Sequence, residues 1–431
     1  MKTMKVALLA TAALAAVSVS ARADDTAAIK AQLEALTARI AQLEAAPAVP
    51  MGYSLLTVNQ AQATVIPGLE NFDRGYGDTA TVIGIMPTAD MPATTTIEWS
   101  GYVRAIVALT DYGYSGGKDD VNVWTRGQLN VTGKTDTAVG EVGATLKLRA
   151  DAHGVDNDPR YFANEYWGWW AMTPEITFGG GYSGSLGNIG YGVDGACNCY
   201  GTDWFTAEQR DEDNISVATN PGDTTQMRLS WASGPLSAAI AVEDSDYDGG
   251  SGDMGGAAEI KYSGDTVSGE ISGMVYEHND GGNTAQVLGD NPATTVTVES
   301  DFIVTPAVTT AKDGTGWQVG AGMGFALGGM ANLSMAASLG KEPSKGDYWN
   351  ASALINFNLS DSVHAETGVS YADYSDLNVN LWEGIAGIYY DPVSQLTLGL
   401  EADYADGDLD TFYGGPNSDF LTVDFVTVWR F

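Results

Sequence analysis

The stretch TIEWSGYVRAIVALT, residues 96–110, alternates apolar and polar side chains with a period of two. Ile97 and Trp99 fall on one face of this pattern, whereas Glu98 and Arg104 fall on the other. Such alternation predicts a β-strand with one apolar face and one polar face. The stretch is also much longer than an average soluble strand of about 5–6 residues, and it fits a tilted strand that crosses a bilayer.

The same alternation returns along the rest of the chain in segments of similar length. The sixth segment is the least regular, and Pro221 could interrupt it because proline cannot donate to a strand ladder. The pattern predicts an all-β fold, a transmembrane antiparallel β-barrel of about 16 strands over residues 96–431. The segments are 96–110, 121–132, 137–151, 160–172, 175–182, 212–232, 235–245, 254–264, 266–278, 315–328, 330–341, 346–359, 362–374, 378–390, 394–405 and 419–431.

The connections between these segments alternate in length. Those after even-numbered segments are short, such as Thr173-Pro174 and Gly234. Several after odd-numbered segments are long, namely 183–211, 279–314 and 406–418. Short turns at one end and long loops at the other are typical of transmembrane barrels, whereas a soluble up-and-down barrel does not need this asymmetry.

The first residues have the pattern of a secretory signal. Lys2 and Lys5 precede an apolar run over 6–19, and Ala21-Arg22-Ala23 fits the small-residue rule for cleavage. The run is shorter than the roughly 20 residues that a transmembrane helix needs. We therefore predict that residues 1–23 are a signal peptide and that the protein is exported.

Residues 24–46 have the pattern of a short coiled-coil helix on the periplasmic side. Two heptads are too few to be stable alone, so the coil requires that another part of the protein brings the chains together. A single amphipathic helix against the periplasmic rim is the alternative. Pro47 ends the helix, and residues 47–95 are left as a linker or a rim or lumen segment. The apolar positions of the coil are Ile29, Leu33, Leu36, Ile40 and Leu43.

The chain is strongly acidic, with 55 Asp and Glu against 20 Lys and Arg and a formal net charge of −35. This charge repels nucleic-acid phosphates, so we expect no nucleic-acid partner. It favours cations, as counter-ions, permeating solutes or bound calcium. Two interpretations stay open: the acids line loops near a pore, or they form a salt-adapted surface.

The last segment ends on an aromatic residue. Phe425, Trp429 and Phe431 share one face, which resembles the assembly signal of bacterial outer-membrane proteins. With sixteen strands and a long third loop, residues 96–431 resemble the general diffusion porins of Gram-negative bacteria. Gly101-Tyr102-Val103-Arg104 is similar to the opening strand of the alphaproteobacterial porins in particular.

This resemblance implies a homotrimer in the cell outer membrane, in contact with lipid and lipopolysaccharide. It also implies a third loop that folds inward and a water-filled pore for passive diffusion of small hydrophilic solutes and ions, with no enzymatic activity. A channel specific for sugars or organic acids is an alternative. Another is a structural or adhesin barrel whose lumen is plugged by residues 51–95.

A diffusion pore needs a constriction with an electric field across it. We predict that bases on the polar faces of the first three segments oppose acids on the third loop. The alternative is that these bases pair within the wall with inward acids such as Glu98, Glu141 and Asp151. The predicted constriction residues are Arg104, Arg126, Lys147, Arg149, Asp194, Asp203, Glu208 and Asp211.

Two further patterns suggest binding or cross-linking. Asp244, Asp246 and Asp248 have the spacing of the front half of a calcium loop, although Gly255 stands where a bidentate glutamate is expected. Weak calcium binding and a solvated acidic loop both remain open, and no other cofactor is predicted. Cys197 and Cys199 either form a local disulfide or stay as free thiols.

Overall fold

A computed structural model describes most of the predicted barrel. The predicted signal peptide, the predicted coiled coil and much of the following segment lie outside the described residues. All described residues belong to one compact unit, Leu56–Ile85 with Ala93–Phe431. They are 56–64, 66, 79–85, 95–112, 120–152, 160–198, 200, 222–244, 254–278, 314–343, 346–408 and 419–431.

Eighteen strands and one helical turn, α1 (Gly192–Ala196), make up the regular structure of the described residues. No helix in these ranges has the length and apolarity needed to cross a bilayer. The strands are β1 (Leu56–Gln62), β2 (Thr79–Ile85), β3 (Thr95–Tyr112), β4 (Asp120–Thr137), β5 (Gly140–Ala152), β6 (Arg160–Ala171), β7 (Ile176–Gly184), β8 (Asp223–Ser233), β9 (Leu236–Asp244), β10 (Met254–Ser263), β11 (Val267–His278), β12 (Gly314–Ala326), β13 (Ala331–Glu342), β14 (Gly346–Ser360), β15 (Val363–Tyr374), β16 (Val379–Val393), β17 (Leu396–Gly407) and β18 (Asp419–Arg430).

Strands β3 to β18 form a closed antiparallel barrel of sixteen strands. Each strand pairs with the next along the chain, and β18 pairs back onto β3 from Phe420 opposite Tyr112 to Arg430 opposite Tyr102. Closure satisfies the backbone hydrogen-bonding groups along every strand, which is what allows a sheet to stand in a membrane. The predicted fold class is confirmed.

The two faces of the barrel differ as the alternation predicts. On β3, Trp99 is 47% exposed and Leu109 is 50% exposed, whereas Tyr102 and Arg104 are each 1% exposed. The outward face is therefore apolar and the inward face polar, which is the arrangement of a barrel surrounded by lipid.

Outward aromatic residues gather near both ends of the strands. Near the loop end, the rings of Trp349 and Tyr371 are 5.1 Å apart and those of Tyr371 and Trp382 are 4.4 Å apart. Two such belts are typical of the membrane–water interfaces, where rings with one apolar and one polar end are favoured. The turn-end belt contains Trp99, Trp231, Tyr262, Tyr390 and Trp429, all exposed on the outer face.

The strand boundaries differ from the sequence prediction mainly at one place. The segment predicted over 212–232 is observed as β8, which begins at Asp223, after Pro221. The first turn also lies later than predicted, because β4 continues to Thr137 before the chain reverses. Residues 201–221 lie outside the described residues.

The hairpin of β1 and β2 was not predicted. β2 pairs with the first residues of β3, from Thr81 opposite Trp99 to Ile85 opposite Thr95. β18 pairs with the rest of the same edge of β3, so the hairpin extends the sheet at the turn end of the barrel. Both strands are short and prolines lie around them, so the sequence shows no clear two-residue alternation that would indicate the hairpin.

Barrel closure depends on a close approach at Gly101. The Gly101 N–H donates to the Phe431 carbonyl at 3.2 Å, and the Phe431 N–H donates to the Gly101 carbonyl at 3.0 Å. A Cβ on Gly101 would lie 2.4 Å from the Gln128 carbonyl oxygen and 2.5 Å from Phe431 Cζ. A glycine is therefore required in this otherwise apolar outward row.

The outward face gives a depth-dependent prediction. Val107, in the interior of β3, faces outward, and Val121 does so at the loop end of β4. We expect Val107→Arg to lower the free energy of unfolding by about 2–4 kcal/mol and Val121→Arg by about 0–1 kcal/mol, because a charge costs most at the bilayer midplane. Urea unfolding of the protein in lipid vesicles measures both. Equal losses for the two variants would contradict the outward assignment.

Candidate functional site

After β7 the chain turns into the barrel and follows its inner wall. This inserted segment comprises residues 185–198 and 200, and it includes α1. Leu186, Ile189 and Val193 are 2%, 1% and 5% exposed, respectively, although they lie outside any strand. They are buried against inward side chains of the strands, so part of the lumen is filled by the chain itself.

Backbone N–H groups of the inserted segment bond to one inward side chain after another around the wall. The acceptors belong to β9, β11, β13, β14, β15 and β17, so the segment runs along the wall instead of crossing the lumen freely. Bonds from N–H groups to carboxylates are stronger than neutral ones. The donor and acceptor pairs are Leu186 with Glu243 at 3.0 Å, Gly190 with Glu270, Gly192 with Ser334 at 2.8 Å, Val193 with Ser352 at 3.2 Å, Asn198 with Glu366 at 3.0 Å and Tyr200 with Glu401 at 2.7 Å.

Inward glycines on β12 make room for this segment. A Cβ on Gly320 would lie 2.1 Å from Ile189 Cδ1, and a Cβ on Gly322 would lie 2.5 Å from Tyr191 Cδ2. Sequence reasoning missed this groove, although alternate glycines over Gly320 to Gly324 were a signal that backbone approaches closely there.

Tyr200 fixes the end of the inserted segment through all of its polar groups. Its carbonyl accepts a bond from Arg104 Nη1 at 2.5 Å, and its hydroxyl accepts one from Arg430 Nη2 at 3.1 Å. Its ring packs edge-on against Tyr389, with centroids 5.5 Å apart. Burial raises the pKa of Tyr200 to about 12, so the hydroxyl stays neutral at neutral pH.

The other three predicted bases bond to inward side chains of neighbouring strands. Arg126 makes a bidentate pair with Asp151, at 2.7 Å from Nε to Oδ1 and 2.9 Å from Nη2 to Oδ2. Lys147 Nζ lies 3.4 Å from Glu165 Oε1. Arg149 Nε donates to Gln128 Oε1 at 2.6 Å. Arg126 and Lys147 therefore pair with acids of the barrel wall, as the alternative interpretation expects.

Of the predicted loop acids, only Asp194 belongs to the described residues. Its backbone forms part of α1. Asp203, Glu208 and Asp211 lie outside the described residues, so the opposing half of the predicted constriction stays a prediction.

Acids outnumber bases among the buried charged side chains, while other inward bases, such as Arg126, Arg149 and Lys261, are partly exposed. Among the described residues, the buried charged side chains are eleven acids and three bases. The acids are Glu98, Asp151, Glu165, Glu243, Glu259, Glu270, Glu366, Glu383, Glu401, Asp403 and Asp424, and the bases are Arg104, Lys147 and Arg228.

The residues just after β1 reach the inner wall at the turn end. The Thr64 N–H donates to Glu98 Oε2 at 2.7 Å. Ile66 is buried in one cluster with Trp167 and Trp169, which are each 3% exposed. Two tryptophans of β6 therefore face inward, in contact with a part of the chain that precedes the barrel.

The predicted calcium and cysteine positions are only partly described. Asp244 ends β9, where its carbonyl accepts a bond from Thr224 Oγ1 at 2.7 Å, and Asp246 and Asp248 lie outside the described residues. In the described ranges, no group of three or more His, Cys, Asp or Glu side chains is placed to hold a metal ion. Cys197 is disulfide-bonded and 2% exposed, and Cys199 lies outside the described residues.

The closed barrel, its polar inner wall and its inserted segment define a class: the fold is that of the outer-membrane porins. No protein-family model and no curated protein matches the sequence.

Solved structures match the fold over 78% of this chain and nearly all of their own chains, at low identity. A loop L8 deletion mutant of OmpT, an outer membrane protein of Vibrio cholerae, has a TM-score of 0.53 at 12% identity, with 99% of its chain covered. The outer membrane channel DcaP of Acinetobacter baumannii has a TM-score of 0.51 at 15% identity, with 97% covered. An anion-selective porin from Comamonas acidovorans has a TM-score of 0.53 at 10% identity, with 100% covered.

Proposed function

We propose that this protein is a porin of the outer membrane that passes small hydrophilic solutes and ions by passive diffusion, with a preference for cations. The observation that carries the proposal is a charged inner wall to which the inserted segment is bonded residue by residue. A segment held against the wall narrows the lumen without blocking it, as a diffusion pore requires.

The cation preference follows from the charge of the wall. Two of its bases are already paired with acids, Arg126 with Asp151 and Lys147 with Glu165. Paired charges largely cancel at a distance, so the remaining acids dominate the field that a permeating ion meets. Beside low-dielectric walls this field is several-fold stronger than in bulk water.

We also propose that the narrowest part lies between the inserted loop and the wall of β3, β4 and β5. Arg104, Arg126, Lys147 and Arg149 line that wall, and Asp194, Asp203, Glu208 and Asp211 of the loop supply the opposite charge. The trimer, the periplasmic coil over 24–46 and weak calcium binding at Asp244, Asp246 and Asp248 are proposals that rest on the sequence.

The test is the reversal potential in a potassium chloride gradient across a planar bilayer. We expect a cation preference that weakens at molar salt, where the Debye length is only about 3 Å. The double variant Arg126→Gln with Arg149→Gln should raise the cation preference, and Asp203→Asn with Glu208→Gln should lower it. An anion-selective wild-type pore would refute the proposed selectivity, and a protein that forms no channel would refute the pore itself.

A further inference from the structure

A recess lies beside the inserted segment, on the side that faces the turn end of the barrel. The segment closes one side of it with Gly190, Tyr191 and Ala196, and inward residues of β11 to β14 form the wall. The volume of the recess is about 270 Å³. Pockets for small molecules span about 300–1,000 Å³, so the recess suits a solute with a single ring.

Small inward residues of β12 leave this space open. Gly324 lies directly opposite Ser268 of β11. A Cβ on Gly324 would lie 2.7 Å from Ser268 Oγ and 3.0 Å from Tyr191 Cε1. The glycine therefore lets the Tyr191 ring pack closely against β12, which fixes the ring in the lining. Ala326 is the next inward residue, and it is small and exposed.

The polar groups that line the recess are mostly neutral and accessible. Asn332 of β13 lies directly opposite Asn356 of β14. Asn332 and Thr266 are exposed, and Ser268 is half-buried, so a solute in the recess can reach one amide and two hydroxyl groups. Within the described part of the chain, Asp265 is the single charged side chain of the lining, and it is exposed at the turn.

This lining matches a neutral solute with many hydroxyl groups. Amides and hydroxyls both donate and accept hydrogen bonds, whereas an ammonium only donates and a carboxylate only accepts. Each hydroxyl of a sugar also does both, so a sugar can bond to this lining without bringing a charge that needs a partner. The Tyr191 ring adds a largely apolar surface with a polar tip, which suits the C–H groups of a sugar ring.

We propose that this recess binds small neutral polyhydroxylated solutes, such as single-ring sugars, as they pass through the barrel. Asn332 and Thr266 bond to the solute at the open side, and Tyr191 bounds it on the side of the inserted segment. A few neutral hydrogen bonds to accessible groups hold a solute only weakly, so it can leave again, as conduction requires. The inference rests on the proposed diffusion pore and names a solute class that this pore retains briefly.

The experiment measures the potassium current of the full-length protein in planar bilayers while a neutral solute is added. Glucose carries several hydroxyl groups, whereas triethylene glycol dimethyl ether is of similar size and carries none. Glucose should reduce the current saturably because it occupies the recess. The ether should reduce the current only in proportion to its concentration, because it changes the viscosity without donating a hydrogen bond.

Three variants locate the effect, each with its potassium conductance first measured without solute to show an intact pore. Asn332→Ala should raise the half-saturating concentration of glucose about fivefold, the size expected for one neutral hydrogen bond. Ala326→Phe fills the recess and should abolish the saturable reduction. Asn358→Ala is the matched control, because it removes an amide of β14 that bonds to the Gly329 carbonyl at 3.2 Å, outside the recess.

The outcomes separate this inference from the proposed function. Equal reductions by glucose and the ether would overturn the inference while leaving the pore intact. So would a half-saturating concentration that is unchanged in both Asn332→Ala and Ala326→Phe, or one that rises as much in Asn358→Ala as in Asn332→Ala. A wild type that conducts no current would instead overturn the proposed function.

Discussion

Gly101→Val should destabilise the closed barrel. The new side chain would overlap the Gln128 carbonyl oxygen and the ring of Phe431, and a backbone carbonyl in a strand ladder cannot move aside. Overpacking a tight site costs about 1–3 kcal/mol, so the equilibrium constant between folded and unfolded protein should fall about tenfold or more. The readout is the folded fraction that resists unfolding in detergent without heating.

Gly127→Val is the matched control, because nothing lies within 4 Å of a Cβ at Gly127 on the adjacent strand. Adding Phe431→Ala to Gly101→Val should restore only part of the folded protein, since the overlap with Gln128 remains. If Gly101→Val folds as well as Gly127→Val, the final residue does not close the barrel in the way described.

Releasing the inserted segment should have the largest effect on the current. Glu243 accepts the Ser185 hydroxyl at 2.6 Å and the Leu186 N–H at 3.0 Å, where the segment leaves β7. Two bonds to a charged group are worth about 3 kcal/mol together, so Glu243→Ala should favour detachment roughly a hundredfold. We expect large current fluctuations and closure at lower voltage in single-channel recordings.

Glu243→Gln should give an intermediate effect, because an amide oxygen still accepts one of the two bonds without the charge. Glu141→Ala is the control: it also removes an inward acid, but Glu141 bonds to Trp169 Nε1 at 3.2 Å and lies by Lys134. A quiet, wild-type current in Glu243→Ala would show that these bonds do not hold the segment in place.

The barrel strands could be predicted because one physical rule governs each of them. In a strand between lipid and lumen, apolar and polar side chains must alternate, and the short turns set the ends of the strand. The segment predicted over 254–264 is accordingly observed as β10 at Met254–Ser263. The rule fails where the chain leaves the barrel wall. β1 and β2 are short and extend beyond β3, and the start of β8 was placed too early because alternation alone does not mark where a loop ends.

For the candidate site, the sequence could predict only whether a side chain faces the lumen or the lipid. Strand parity placed Arg126 and Arg149 on the inner face, but it did not show that Arg126 bonds to Asp151. That pairing depends on the register between β4 and β5, which the turn after Thr137 sets. The route of the inserted segment could not be predicted from the sequence, since its bonds to the barrel wall join residues far apart in the chain, such as Asn198 and Glu366.

The shared edge of β3 also bears on how the protein assembles. Thr422, which meets Thr110 across the seam, lies 312 residues further along the chain, so this pairing forms late. An unpaired strand edge is meanwhile a template for joining other chains. β2 precedes β3 and already covers it from Thr95 to Trp99. During synthesis and insertion, aggregation through this edge is therefore confined to the part that β18 later occupies.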